Sequence, residues 1–268
     1  MSDVTAVVPC FNYGAYLEEA VGSLLSQQGG APRVIVVDDG STDPHTHDVL
    51  GRLPDEVVVV RQDNAGAAAA RNAGLAHADT PLVLVLDADD RLAPGALAAM
   101  RAGLEAAPGA SFAYGHQRFF GTMGGVMRFP PYDPYRLLYR HLIGPTALMR
   151  RELIDATGGY DRAFALYEDW ELWVNALAHG HRGVRVDAVT HEYRRHEGSK
   201  LHRDRRRYRE FRRALHAKHA GLFARRDALA EESDLSPLGR ALYRFYWGPR
   251  PVPAAVEDAA YRVLFRAQ

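Results

Sequence analysis

The sequence is poor in the features that would place the chain outside the cell or within a membrane. It has one cysteine, Cys10, which leaves no internal disulfide and fits a reducing compartment. No apolar run approaches the roughly 20 residues that a membrane-spanning helix needs. No basic-plus-apolar leader precedes the first strand-like run. The sequence therefore predicts a cytoplasmic protein.

The chain also lacks an excess of charge and the familiar glycine-rich phosphate loops. Its 33 Lys and Arg balance its 33 Asp and Glu, so no overall field draws it to nucleic acid, and we expect no nucleic-acid partner. There is no P-loop. The turn at 9–14 has one glycine, where a dinucleotide-binding domain has three. These absences argue against a P-loop NTPase and a hydride-transferring Rossmann enzyme.

Short apolar runs alternate with helix-like segments along residues 1–95. Residues 4–9, 33–37, 57–60 and 82–86 are short, largely apolar runs bounded by turn residues, which is typical of buried parallel strands. A segment with helical spacing of its apolar residues follows each of them. The alternation predicts an α/β fold with a mainly parallel sheet flanked by helices and joined by right-handed crossovers.

Three carboxylates follow the fourth strand, in Asp87-Ala88-Asp89-Asp90. Charge at the carboxyl end of a parallel strand lies where open α/β sheets bind ligands. Close carboxylates raise one another's pKa unless a cation neutralises them, and hard oxygen ligands suit Mg²⁺ or Mn²⁺. The alternative is a solvated acidic turn before the next helix, with Pro94 in that helix's first turn. The residues alone leave both interpretations open.

Four motifs within residues 1–95 resemble those of the family 2 glycosyltransferases. They are Val-Val-Pro-Cys-Phe-Asn-Tyr at 7–13, Val-Val-Asp-Asp-Gly-Ser-Thr-Asp at 36–43, Asn-Ala-Gly-Ala-Ala-Ala-Ala-Arg-Asn-Ala-Gly at 64–74 and Leu-Asp-Ala-Asp-Asp at 86–90. They stand in the family's order and spacing, and later motifs extend the resemblance to about residue 200. The resemblance implies a GT-A-like fold. It also implies an inverting enzyme that moves a sugar from a nucleoside diphosphate to an acceptor hydroxyl or amine.

The resemblance further implies a donor site formed by Pro9, Phe11, Asn12, Tyr13, Asp38, Asp39, Gly66, Arg71, Asp87, Ala88 and Asp89. Asp39 matches the carboxylate that accepts a hydrogen bond from the base N–H, and Asp38 would orient the loop or contact ribose. Phe11 would stack on a pyrimidine, the alternative being packing against the first helix. The guanidinium of Arg71 suits a diphosphate, the alternative being a surface arginine. A UDP- or dTDP-sugar is favoured, with guanine left open.

The metal site and the base are implied in the same way. Asp87 and Asp89 match the Asp-X-Asp pair that holds ribose and a divalent metal, Mn²⁺ or Mg²⁺. His196 is a further candidate ligand, whose alternative is an ordinary loop histidine. Glu168-Asp169-Trp-Glu-Leu resembles the family's Glu-Asp-x-x-Leu stretch, in which the aspartate is the general base. Glu168 is the second catalytic candidate.

An inverting transfer needs a carboxylate opposite the leaving diphosphate to take the proton of the acceptor. It also needs a metal to stabilise the negative charge that builds on the leaving group. Asp169, at the start of a predicted helix, is the candidate for this carboxylate. Its alternative role is that of a first-turn acid, which favours the helix macrodipole without any catalysis.

The chain is predicted to comprise a nucleotide-sugar-binding half at 1–95, an acceptor half at 96–200 and a helical C-terminal extension at 201–268. The basic run at 203–213 is usually a solvated face. It would otherwise contact an anionic lipid headgroup, at the inner face of the membrane, or a partner subunit. Aromatic residues further on suggest packing onto the main domain or a homodimer contact. The acceptor would be a saccharide, a lipid-linked sugar or a small molecule.

Two other functions fit parts of the pattern. A sugar-phosphate nucleotidyltransferase shares the sheet but needs a first turn rich in glycine, arginine and lysine, which this chain lacks. A non-catalytic nucleotide- or sugar-binding protein of the same fold needs no base. The intact set of Asp87, Asp89 and Asp169 argues against it.

Overall fold

The structure, a computed structural model, describes residues 2–196 and 205–247, and for Arg205, Arg206, Tyr246 and Trp247 the backbone only. The strands are β1 (Val4–Cys10), β2 (Arg33–Asp38), β3 (Val58–Arg61), β4 (Leu82–Val85), β5 (Arg91–Leu92), β6 (Phe112–Gly121), β7 (Gly125–Met127), β8 (Leu148–Arg150) and β9 (Gly183–Arg195). The helices are α1 (Gly14–Leu25), α2 (Pro44–Leu50), α3 (Ala67–Ala76), α4 (Ala96–Ala106), α5 (Pro134–Leu137), α6 (Arg151–Thr157), α7 (Glu168–Ala178), α8 (Arg205–Lys218), α9 (Ala220–Ala224), α10 (Arg226–Glu231) and α11 (Pro237–Trp247).

The sheet runs in the order β3-β2-β1-β4-β8-β6-β9-β5, with β7 paired to β6. The first four strands along the chain are mutually parallel, with Val7 beside Ile35 on one side and Val85 on the other. β8 joins β4 and β6 in antiparallel fashion, and β6 pairs β9 in parallel. This mixed sheet flanked by helices confirms the predicted α/β class.

The parallel strands are buried on both faces, which explains why their sequences are apolar without alternation. On one face, Leu17 and Leu24 of α1 join Val8 and Leu84 in a fully buried cluster. On the other face, α3 lies very close to the sheet. A Cβ on Gly74 would lie 2.3 Å from Cγ1 of Val7, so only glycine permits this approach. Both contacts fix the carboxyl ends of the strands relative to the helices that follow them.

The described residues divide into two compact units. The first comprises 2–132 and 143–196 and holds the whole sheet. The second joins residues 133–142 to 205–247. Residues 133–142 were predicted to belong to the acceptor half, but the structure groups them with the C-terminal helices. The boundary drawn at residue 200 stays a prediction.

The second unit is held together by polar contacts around α5. Asp133 caps this helix by accepting from the backbone N–H of Arg136 at 2.9 Å, and its other oxygen accepts from the Ser233 hydroxyl at 2.6 Å. Arg212 of α8 donates to the carbonyls of Leu138 at 3.0 Å and Tyr139 at 2.7 Å. These contacts explain why 133–142 belongs with the later helices.

Several predicted features fall outside the described residues. They include Arg203 of the basic run and the C-terminal aromatic residues Tyr261 and Phe265. Within the two described ranges, no helix combines the length and apolar character that a membrane span requires.

Candidate active site

The loops that follow β1, β2 and β4 leave the sheet at one edge. Asn12 ties two of them together. Its side-chain carbonyl accepts from the backbone N–H groups of Thr42 at 2.8 Å and Asp43 at 2.9 Å. The backbone N–H of Asn12 donates to the Ser41 hydroxyl at 3.0 Å. The residue has φ = 58°, a left-handed conformation that asparagine tolerates better than most residues. Asn12 thus shapes the rim of the site.

Asp39 fastens the loop before α3. Its Oδ1 accepts from Gln62 Nε2 at 2.7 Å and the Ala65 N–H at 2.9 Å, and its Oδ2 accepts from the Gly66 N–H at 2.9 Å. A carboxylate offers about four acceptor positions, so these bonds leave about one for a ligand. Asp38 lies beside it, also buried, and accepts from the Ser41 N–H at 3.0 Å.

The aromatic residues after β1 lie at different depths. Pro9 is within β1, opposite Val37, while Phe11 is 41% exposed. Tyr13 is the N-cap residue directly before α1, and its ring centroid lies 6.0 Å from that of His196. Burial, with the nearby Asp89 carboxylate adding to it, raises the pKa of Tyr13 to about 12. Exposed Phe11 is therefore open to a ligand, and Tyr13 lies on the side of the acidic residues.

The acidic residues after β4 separate into two groups. The side chains of Asp87 and Asp89 are 29% and 22% exposed, whereas that of Asp90 is 1% exposed. Asp90 is held by His191 Nε2 at 2.8 Å and by the Arg194 N–H at 2.8 Å. Asp87 and Asp89 are thus the two carboxylates that a ligand can reach, whereas Asp90 anchors β9.

His196 extends this acidic group. Its Nε2 lies 3.1 Å from Oδ2 of Asp89. Burial, reinforced by Asp90 and Asp87, raises the pKa of Asp89 to about 6, while the hydrogen bond to His196 opposes the rise. The crowding of carboxylates expected from the sequence is therefore present.

The predicted base lies at the start of α7. Tyr167 precedes this helix with φ = 58°, which is strained for an aromatic residue, and its side chain makes no capping hydrogen bond. Asp169 is 9% exposed, and its Oδ1 accepts from the Trp170 N–H at 2.8 Å. Glu168, Asp169 and Glu171 all lie in the first turn, where negative charge favours the helix macrodipole.

Arg71 connects the base segment, residues 160–169, to Asp87 at the carboxyl end of β4. Its Nη2 donates to Oδ1 of Asp87 at 2.7 Å, and its Nη1 donates to Oε1 of Glu168. Burial alone would lower the pKa of Arg71, but the carboxylates of Asp87 and Glu168 outweigh it and raise this pKa well above its ordinary value. Two motifs far apart in sequence thus meet at one guanidinium.

The comparison with known proteins agrees with this geometry. The family described as "Glycosyl transferase family 2" matches residues 5–168, which is more than half of the chain. The chain belongs to glycosyl transferase family 2. It spans 28%, 58% and 62% of the length of three curated relatives that it matches.

Among its relatives in this family is WfaP of Escherichia coli, described as a UDP-Glc:alpha-D-GlcNAc-diphosphoundecaprenol beta-1,3-glucosyltransferase. It is 27% identical over 206 residues, which cover 74% of this chain and 80% of WfaP.

Two solved structures share the fold. S. aureus TarS 1-349 in complex with UDP-GlcNAc has a TM-score of 0.68 and 18% identity, with 99% of this chain and 74% of TarS covered. The mannosyltransferase PcManGT of Pyrobaculum calidifontis, in complex with GDP-Man and Mn²⁺, has a TM-score of 0.59 and 23% identity, with 98% and 80% covered. At these identities the likeness shows the fold alone, and it confirms the predicted GT-A-like class.

The donor atoms at the edge of the sheet fit a divalent metal in type. Among the residues that the structure describes, no three or more His, Cys, Asp and Glu side chains are grouped closely enough to hold a metal ion by themselves. Mg²⁺ usually takes one or two carboxylates from the protein and completes its coordination shell with substrate phosphates and water. The partly exposed Asp87 and Asp89 are therefore enough protein ligands for such an ion. His196, whose Nε2 lies 3.1 Å from Oδ2 of Asp89, stays a candidate third ligand.

Two residues that shape the site, Gln62 and Asn72, were not predicted from the sequence. Gln62 donates to Asp39, as described above. Asn72 donates to the Tyr160 carbonyl at 2.7 Å and accepts from the Tyr160 N–H at 2.8 Å. The signals were weak, since Asn72 stands inside a quoted motif without a predicted role and Gln62 is an ordinary polar residue after a strand.

The structure brings together most of the predicted site residues. Gly66, with φ = 88°, is the N-cap residue of α3, and its backbone N–H donates to Asp39; Ala88 is buried between the partly exposed Asp87 and Asp89. The predicted contact of Arg71 with a diphosphate stays a prediction, because both terminal nitrogens of its guanidinium are paired with carboxylates.

Proposed function

We propose that this chain is an inverting glycosyltransferase that moves a sugar from a nucleoside diphosphate, a UDP- or dTDP-sugar being favoured, to an acceptor hydroxyl or amine. One observation carries the proposal. Arg71 binds Asp87 at the end of β4 and Glu168 at the start of α7, so the acidic donor motif and the base motif form one site. Membership of the family supports the reaction class. WfaP, which is described as using UDP-Glc, and TarS, whose structure contains UDP-GlcNAc, favour a uridine donor.

In this proposal the donor lies across the carboxyl ends of β1, β2 and β4. Phe11 stacks on the base, and the acceptor position left on Asp39 takes the base N–H. Pro9, Asn12 and Tyr13 line the same rim, with Asp38 and Gly66 supporting the loops behind it. This arrangement uses the exposed faces at the edge and leaves the buried hydrogen bonds intact.

Asp87, Asp89 and His196 would hold a divalent metal, Mn²⁺ or Mg²⁺, beside the diphosphate. When bound, the metal supplies positive charge that offsets the charge of the leaving group. The complex of PcManGT with Mn²⁺ supports this choice.

Asp169 is the general base. Its carboxylate takes the proton of the acceptor O–H or N–H, while the acceptor atom bonds to the anomeric carbon and the bond to the diphosphate breaks. Attack from the face opposite the leaving group inverts the anomeric configuration. Glu168 is engaged by Arg71, so it positions the segment and is the second candidate for the base.

The test is sugar transfer by the wild type and by the Asp169→Asn variant, which keeps the shape of the side chain. We expect UDP release from UDP-Glc or UDP-GlcNAc, with a panel of saccharide and lipid-linked acceptors, to fall at least 100-fold in the variant, the scale of a lost general base. UDP affinity should change less than 3-fold. Equal turnover in the two proteins would refute the role of Asp169.

The same assays separate the two rival functions. A binding protein of this fold would bind UDP in the wild type without turning over any donor. A nucleotidyltransferase would form a UDP-sugar from UTP and a sugar 1-phosphate, which the proposed enzyme does not do. Either result would replace the present proposal.

We also propose that the C-terminal extension makes peripheral contact with an anionic membrane surface, which suits a lipid-linked acceptor. In α8 the side chains of Arg207, Arg209 and Arg213 are exposed. Sedimentation with phosphatidylglycerol vesicles should fall with added salt and with Arg207→Glu/Arg209→Glu, but not with Arg52→Glu, an exposed arginine of the first unit. Binding that ignores salt would refute this contact. A homodimer through the extension is the competing role, and light scattering would reveal it.

A further inference from the structure

α3 presents two consecutive polar residues to the segment that carries the base. Arg71 reaches Glu168, and Asn72 holds the backbone of Tyr160 through the two hydrogen bonds at 2.7 and 2.8 Å. The Arg71 guanidinium also lies over the Tyr160 ring, 5.2 Å from its centroid. One turn of α3 therefore contacts both the beginning and the end of residues 160–168.

The helix that supplies these contacts cannot shift easily. Gly74 brings α3 against Val7 of β1, and the Gly66 N–H ties its first turn to Asp39. Protein interiors packed to this density transmit displacement rather than absorb it. A side chain on α3 therefore holds whatever it binds at a fixed distance from the ends of the strands.

The segment that α3 holds ends at Tyr167, the N-cap residue of α7. No side chain of the N-cap residue binds the first N–H groups of the helix, and Tyr167 has the left-handed φ of 58°. Such conformations persist only where neighbouring contacts determine them. The ion pair of Arg71 with Glu168, whose side chains are 5% and 15% exposed, is a contact at the first residue of the helix, directly before Asp169.

We infer that Arg71 is a positioning residue that sets the base segment against the donor-binding strand end. Its two terminal nitrogens bind Asp87 and Glu168, so it fixes the distance between the donor side and Asp169 without touching substrate. The inference rests on the proposed function for its catalytic consequence. It differs from the role implied by the family resemblance, which makes Arg71 a contact of the diphosphate.

The two roles of Arg71 predict different responses to Arg71→Met. A positioning residue lowers kcat, at least 30-fold here, and changes UDP and UMP affinity in the presence of Mn²⁺ by the same factor. A diphosphate contact weakens UDP at least 10-fold more than UMP. Arg71→Lys should recover part of kcat, because a single ammonium keeps the charge but cannot present two nitrogens in a planar fork.

A double-mutant cycle tests the route through Glu168. Arg71→Met/Glu168→Gln should lower kcat no further than the larger of the two single effects, because both remove the same contact. Arg33→Met is the matched control, since Arg33 makes an ion pair with Asp79 at 2.6 Å outside the site. It should leave kcat unchanged. Multiplying effects in the double variant, or loss of UDP relative to UMP, would overturn the inference.

A ligand-free measurement keeps this test separate from the proposed function. In urea unfolding, Arg71→Met should lower the midpoint, and adding Glu168→Gln should lower it no further, since the second change neutralises Glu168, one of the two carboxylates that Arg71→Met leaves unpaired. Additive shifts would overturn the inference even if wild-type enzyme neither binds UDP nor transfers sugar. That failure of the wild type would instead count against the proposed function alone.

Discussion

Gly158 and Gly159 form a matched pair that tests how the base segment is attached to α3. Both have left-handed φ values, 75° and 78°. A Cβ on Gly158 would meet nothing within 4 Å, whereas one on Gly159 would lie 2.5 Å from Oδ1 of Asn72. Gly158→Ala therefore incurs backbone strain only. Gly159→Ala incurs the same strain and also forces Asn72 away from Tyr160.

The difference between the two variants can be worked out from these contacts. An alanine in the left-handed region costs about 1–2 kcal/mol, which is the whole expected loss of unfolding free energy in Gly158→Ala. Displacing Asn72 breaks its two hydrogen bonds to Tyr160, at about 0.5–1.5 kcal/mol each. Gly159→Ala should therefore lose about 2–5 kcal/mol, or about 1–3 kcal/mol more than its neighbour.

Urea unfolding followed by circular dichroism measures both losses. An unchanged m-value shows that the variants differ in stability and not in the surface exposed on unfolding. Asn72→Ala adds a check, because in that background Gly158→Ala and Gly159→Ala should cost nearly the same. Equal destabilisation of the two variants in the wild-type background would refute the attachment of the base segment through Asn72.

Two further predictions concern the sheet. Gly74→Ala should lower the free energy of unfolding by about 1–3 kcal/mol, since its Cβ would overlap Val7, whereas Gly22→Ala, on the exposed side of α1 with nothing within 4 Å, should raise it by about 0.5–1 kcal/mol. Urea titration of both variants measures this, and equal signs would contradict the packing described. Cys10 is 1% exposed, and burial raises the pKa of its thiol to about 11. At pH 8 the native protein should therefore not react with a disulfide reagent, while the unfolded protein should react with one equivalent of the reagent. Because the unfolded thiol ionises at about pH 8.5 and the folded one only at about pH 11, the free energy of unfolding should fall as the pH rises between these two values. Rapid reaction of native protein would show that Cys10 is accessible.

The strand ends were predictable because they depend on local pattern. Apolar runs that stop at Asp38-Asp39 and at Asp87 identify buried strands with charged carboxyl ends, and parallel strands bring such ends to one edge of the sheet. The residues around them explain why the acidic groups converge. Family membership then confirmed the reading of these motifs as those of glycosyl transferase family 2.

The partners of the site residues were not predictable, because they depend on tertiary distance. Nothing in the sequence shows that Arg71 lies between Asp87 and Glu168, the second of which is 97 positions away. Nor does it show that the side chain of Asn12 accepts hydrogen bonds from the loop at 42–43. The grouping of 133–142 with the C-terminal helices likewise rests on contacts of Asp133 and Arg212 with distant residues. A pattern of residue types carries no record of such pairings.

The most direct test of the central claim is calorimetric titration of the wild type with UDP, dTDP and GDP, each with and without Mn²⁺. We predict that UDP or dTDP binds, that binding requires Mn²⁺, and that Asp89→Ala weakens it at least 10-fold while leaving the urea midpoint unchanged. Absence of binding by all three nucleotides would contradict the assignment of this edge of the sheet as a donor site.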